Sequence, residues 1–292
     1  MTDHILRATA ANGQIRAFAA YSRQLTNHAA AIHNTTPVAS AALGRLLTAA
    51  SIMGLMSGND KDLITISIKG DGSLGGVLAT SDGRGRVKGY VHNPAADVSP
   101  KPNGKLNVSG VIGQGFITVT KDLGLKEPYV GKLELISGEI AEDVAGYFLF
   151  SEQTPSVLSL GVLVETDHSI AAAGGFLLQL MPGYDENLID QLEAKMAGFP
   201  AITELYNNGK TPADVLDMLL ADFGYEITDN HPIEYHCNCD KQRVVGAIVS
   251  LGAKELTQII QEDGKAEVSC HFCNDQYLFD KDELTTILAA AR

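Results

Sequence analysis

An α+β architecture follows from three features of this 292-residue sequence. Short stretches of period-two apolar alternation run from Leu63 to Val164 with few helical patterns between them, which predicts a mainly antiparallel sheet domain with helices. A run of short helical patterns follows Pro182-Gly183. All four cysteines then fall between residues 237 and 273, where they mark a small module of their own. The expected organisation is an N-terminal α+β domain over 1–181, a helical linker region over 182–228 and a small C-terminal cysteine module over 229–292.

Each element has a local reason. Asn12-Gly13 between Ile5–Thr9 and Ile15–Ala19 reads as a β-hairpin turn. Thr36-Pro37 opens a helix, with Thr as N-cap and Pro at the first helical position, and Gly58 closes it. Its many small residues, among them Ala39, Ala41, Ala42 and Gly44, imply close contact with a sheet or another helix. Strands are expected at 63–68, 76–80, 85–91, 116–120, 131–136, 160–164 and 170–179, the last broken at Gly174-Gly175. A helix is expected over 142–150.

Gly70-Asp71-Gly72-Ser73-Leu74-Gly75 fits a G-x-G-x-x-G pattern. A phosphate-binding loop would need a helix to open directly behind it. The following Gly76–Thr80 reads as another strand, so a glycine-rich hairpin is expected and no nucleotide site. Neither HExxH nor GxSxG occurs, and nothing points to a catalytic constellation; the chain reads as no enzyme.

Beyond residue 182, helices are expected over 187–197, over 201–208 and from Thr211-Pro212, each with an apolar stripe. Helices this short are marginal alone in water and persist only by laying those stripes on something else. In the tail, two helices separated by Gly252 lie between the cysteine pairs. Two short strands flank the second pair, and Asp280 with Glu283 opens a final helix.

Composition narrows the function. The hydrophobic fraction of 45% suits a globular core. No unbroken apolar run of eighteen residues occurs, and Met1-Thr2-Asp3-His4 does not begin a signal peptide, so a cytoplasmic home with reduced thiols is expected. Residues 182–228 carry nine acidic and two basic side chains and residues 229–292 eleven and six, so twelve of the thirteen net negative charges lie beyond residue 181. That sign argues against gripping a nucleic-acid backbone.

Cys237-Asn238-Cys239 and Cys270-His271-Phe272-Cys273 form two close pairs thirty residues apart. Such pairs suit one tetrahedral Zn²⁺ held by four thiolates, Cys237, Cys239, Cys270 and Cys273. His236 and His271 stand beside them as neighbours rather than ligands. A module this small should depend on its metal. The thiolates remain open to oxidants, and oxidation to disulfides removes the lone pairs that hold the metal. Two other classes also fit cysteine pairs: a thiol–disulfide oxidoreductase, which would place a CxxC at a helix N-terminus, and a structural zinc-ribbon interaction protein, which would keep its metal under mild peroxide.

The flanking residues narrow this further. His236-Cys237-Asn238-Cys239, Cys270-His271-Phe272-Cys273-Asn274 and Tyr277-Leu278-Phe279 resemble the zinc switch of the redox-regulated 33 kDa heat-shock chaperones. Ala39–Arg45, Val119–Leu125 and Ala173–Phe176 are similar to the same family's N-terminal domain, so the resemblance spans essentially the whole chain. It implies an ATP-independent holdase that is inactive when reduced and zinc-bound. Oxidation would pair Cys237 with Cys239 and Cys270 with Cys273, release zinc, unfold the tail and free a metastable linker. It further implies unfolding client proteins as partners and a homodimer on activation.

Overall fold

The computed structural model describes residues 1–290 and divides into two compact units, Met1–His236 and a second that begins at Cys237. In the first unit β1 (His4–Ala10) and β2 (Ile15–Tyr21) form the expected hairpin. Its turn holds Asn12 at φ 54° and Gly13 at φ 84°, left-handed values that Asn and Gly reach at low cost. Next come α1 (Arg23–His33) and α2 (Pro37–Ser57), then β3 (Leu63–Gly70), β4 (Val77–Asp82) and β5 (Arg86–Val91). After α3 (Val108–Ile112) the chain runs through β6 (Gly115–Asp122), β7 (Tyr129–Glu134), α4 (Ala141–Ser151), β8 (Ser156–Val164) and β9 (Ile170–Leu180). The unit closes with α5 (Asn187–Met196), α6 (Ile202–Asn207), α7 (Pro212–Leu220), β10 (Glu226–Pro232) and β11 (Glu234–Tyr235).

These strands make two sheets rather than one. The first has the order β10-β1-β2-β9-β8 and the second β11-β5-β4-β3-β6-β7. All their pairings are antiparallel except β11 with β5. The α2 helix lies between the sheets and buries 17 of its 21 residues. Thr36 caps it through a bond from the Ala39 N–H, and Gly58 ends it at φ 77°. By length and composition α2 could cross a membrane, but 94% of that apolar window is buried in the protein's own core. Gly44 explains how it fits: a Cβ there would meet Thr26 Cγ2 at 2.4 Å and Val162 Cγ2 at 2.9 Å.

Because α2 covers one face of the first sheet and α5, α6 and α7 cover the other, its central strands lose the alternation expected of a half-exposed sheet. β9 runs unbroken through Gly174-Gly175, contrary to the expected interruption. The glycines are there for close approach: a Cβ on Gly174 would lie 2.2 Å from the Ala20 carbonyl oxygen and 2.4 Å from the Tyr206 ring. Between Gly70 and Val77 the chain turns from β3 into β4 with no helix, so the glycine-rich segment is a hairpin as expected.

In the second unit, α8 (Lys241–Ser250) and α9 (Ala253–Glu262) are separated by Gly252 at φ 86°. They precede the β12 (Lys265–Ser269) and β13 (Gln276–Asp280) hairpin and then α10 (Lys281–Ala290). Asp280 and Glu283 cap α10 reciprocally: the Glu283 N–H donates to Asp280 and the Asp280 N–H to Glu283. The core is small, with Val244, Ile248, Leu256, Phe279, Leu284 and Ile287 as its buried members.

Candidate metal centre

Two local structures present the cysteines. Cys237 and Cys239 sit just ahead of α8, whose start is fixed by Asp240 accepting the Arg243 N–H at 2.8 Å. Cys270 and Cys273 occupy the turn that joins β12 to β13, directly beyond the Ser269–Gln276 pair. That turn is closed by bonds from the Cys270 N–H to the Asp275 carbonyl at 2.9 Å and from the Asn274 N–H to the Cys270 carbonyl at 2.8 Å. Asn274 takes a left-handed φ of 58° there.

All four sulfurs lie within 4.8 Å of one another. The Cys237–Cys270 separation is 3.7 Å and the Cys239–Cys273 separation 3.2 Å. A tetrahedron with metal–sulfur bonds of about 2.3 Å has edges of about 3.8 Å, close to these values. The cysteines are free thiols, each half-buried. Among the described residues the group that could hold a metal consists of these four, and His236 and His271 are not in it. The four cysteines singled out by their spacing are thus brought together in space.

Electrostatics favours a cation at this point. Burial pushes the Cys237 and Cys273 thiols up. Burial acts the same way at Cys270, but the N–H groups of Phe272 and Cys273 and the adjacent sulfurs outweigh it and bring that thiol down. Four thiolates this close repel one another, and a divalent cation at their centre is what would keep all of them deprotonated. The donor set fits a soft, tetrahedral ion with four protein ligands.

Sequence reasoning used Tyr277 for resemblance but gave it no contact. Its hydroxyl donates to Cys239 Sγ at 3.1 Å, and the Asp275 carboxylate lies 4.0 Å from the same sulfur. The bond to sulfur holds the phenol proton on, raising the Tyr277 pKa. A signal was present: in Gln276-Tyr277-Leu278-Phe279 period two puts Tyr277 on the face of the buried Phe279, while Leu278 is exposed.

The CxxC pair does not open a helix, since β12 and β13 flank it. This is unlike the setting of a thiol–disulfide oxidoreductase, where a helix N-terminus lowers one thiol pKa.

Comparison with known proteins agrees with this geometry. A family model described as Hsp33 protein matches residues 3–280. A 33 kDa chaperonin of Clostridioides difficile is 52% identical over 289 residues, 99% of each chain. One from Lachnoclostridium phytofermentans is 46% identical over 288 residues, 99% of each chain. The crystal structure of the 33 kDa chaperonin (heat shock protein 33 homolog) from Thermotoga maritima superposes with a TM-score of 0.91 at 34% identity, over 99% of both chains. A match that runs end to end in sequence and in structure places the chain in the Hsp33 protein family.

Proposed function

We propose that the chain is a redox-regulated holdase chaperone, a binding protein rather than an enzyme, whose four cysteines hold one Zn²⁺ when reduced. The observation that carries this reading is the convergence of Cys237, Cys239, Cys270 and Cys273 within 4.8 Å. Bound zinc would supply the positive charge that links the two halves of the second unit. Each cysteine pair can give two electrons to one peroxide. One thiolate takes its OH as a sulfenic acid and releases hydroxide. The neighbouring thiolate then displaces hydroxide to form the disulfide. Pairing of Cys237 with Cys239 and of Cys270 with Cys273 would leave no thiolate to hold the metal, and the unit's six-residue core is small support without it.

The linker, residues 182–228, is the element we assign to client binding, between a stable domain over 1–181 and the switch over 229–292. Its helices bury Leu188, Leu192, Ile202, Leu205, Val215, Leu216, Leu219 and Leu220 against the first sheet. Their departure would bare Leu6, Ile15, Phe176 and Leu178 as well as the helices' own stripes. β10 is a weak strap: it is an edge strand, exposed at every position but His231, with an irregular register at Arg7–Ala8. Bared surface of this kind favours unfolding proteins and self-association, so the oxidised form is expected to dimerise. The acidic charge of 182–292 would keep it soluble, in a cytoplasm where reducing conditions restore the thiols.

The test is zinc release and light scattering in parallel, with peroxide and mild heat applied to the reduced protein beside a heat-unfolding client. Loss of about one zinc per chain, followed by suppressed client aggregation, is expected. Zinc that stays, or leaves with no protection of the client, would reduce the cluster to a structural site.

A further inference from the structure

One polar contact at the cysteine cluster that its ligand role does not account for is the bond from Tyr277 to Cys239. Strand register fixes it. Tyr277 lies opposite Val268 in the β12–β13 hairpin, two residues before Cys270, so the pairing that builds the CxxC turn also aims the phenol at the other cysteine pair. The oxygen–sulfur distance of 3.1 Å is short for a bond to sulfur. A metal-held thiolate carries no proton, so the hydroxyl must be the donor. The Asp275 carboxylate, 4.0 Å from the same sulfur, adds negative charge there and makes the donated proton more valuable.

We propose that Tyr277 is a positioning residue that sets how readily the switch responds: its hydroxyl draws electron density from Cys239 Sγ, slows that sulfur's attack on electrophiles and steadies its hold on the metal. The proposal rests on reading the cluster as a metal-thiolate switch. Charge-assisted bonds to a ligand atom are worth roughly tenfold or more in metal affinity. The responsiveness of the whole chain to oxidant would then be graded by one hydroxyl that is not itself a ligand.

Tyr277→Phe in the full-length, zinc-loaded protein keeps the ring and removes the donor. Two quantities are read. One is zinc affinity by chelator competition. The other is the initial rate at which iodoacetamide alkylates each cysteine, the sulfur forming an S–C bond as iodide leaves, resolved by mass spectrometry at low conversion. We expect Cys239 to react about tenfold faster with Cys270 unchanged, and zinc affinity to fall about tenfold. Rates and affinity within twofold of wild type overturn the proposal. So does equal acceleration at all four cysteines, which would mean that the ring merely supports the fold. A wild-type protein that holds no stoichiometric zinc would instead sink the switch reading, and this proposal with it.

Discussion

Glu139 joins three separate segments of the first unit through its charge. Its carboxylate accepts from Lys101 Nζ at 2.6 Å, from Arg45 Nη1 at 2.8 Å and from the Ser109 N–H at 3.1 Å, tying α2, the loop between β5 and α3 and the start of α3 together. Burial alone would raise its pKa, but the bonds from Lys101, Ser109 and Arg45 outweigh it and hold the group at about 2 against an ordinary 4.5. A depressed folded pKa stabilises above the unfolded value and loses that contribution as pH falls towards the folded one. The stabilisation is therefore complete above pH 4.5, fades below it and is gone near pH 2. With the side chain 22% exposed, it amounts to about 2–3 kcal/mol. Glu139→Gln should cost that much in urea unfolding at pH 7, and the gap to wild type should close as pH drops through 4 to 2. A gap that stays constant with pH would show that packing, not charge, is what the substitution removes. The partners of Glu139 lie at positions 45, 101 and 109, so the sequence gives no local sign of the cluster.

At the scale of elements, what could be read from sequence is what carries its own signal. Thr211-Pro212 with Asp214 forms a full capping box: the Thr211 N–H donates to Asp214 at 2.7 Å and the Asp214 N–H to the Thr211 hydroxyl at 3.2 Å. By contrast α1 was not legible, because its cap lies elsewhere in the chain. Ser22 makes no side-chain cap bond; the Gln24 and Leu25 N–H groups donate instead to Asp3, at 3.1 and 2.6 Å. β10 was missed for a related reason, since an exposed edge strand reading Glu-Ile-Thr-Asp-Asn-His-Pro lacks alternation and is held by pairing with β1. The cap on α7 is also a handle on the proposed linker. Losing an N-cap of this kind costs about 1 kcal/mol, or roughly fivefold in local opening. Thr211→Ala should therefore speed amide exchange over 212–220 by about that factor and let the protein hold clients at a lower oxidant dose. Faster exchange with unchanged client holding would show that release of α7 is not what bares the binding surface.

At the scale of the molecule, the two units differ in what supports them. The first has two sheets with α2 between them and a second apolar layer beneath α5, α6 and α7. The second rests on six buried apolar side chains, two strands and the cysteine cluster. Structural zinc in small folds supplies roughly 10–16 kcal/mol, more than such a core provides by itself. Chelation at neutral pH should then act on one unit only. Residues from Cys237 onward should lose amide protection and become sensitive to protease, while β1–β9 and α2 stay protected. A net charge of −5 over 229–292 adds self-repulsion once the metal's positive charge is gone, so the unfolding should be sharper at low salt. Hydrogen exchange with peptide-level resolution, run with and without chelator, separates the possibilities. If the second unit keeps its protection after the metal is removed, its fold does not depend on the four thiolates, and oxidation of those thiolates could not unfold it. If both units open together, the first unit is not an independent platform, and client binding could not be assigned to a face bared on an otherwise intact sheet. The division of supports predicts neither: the second unit should open alone, and the sheet that α5, α6 and α7 cover should remain.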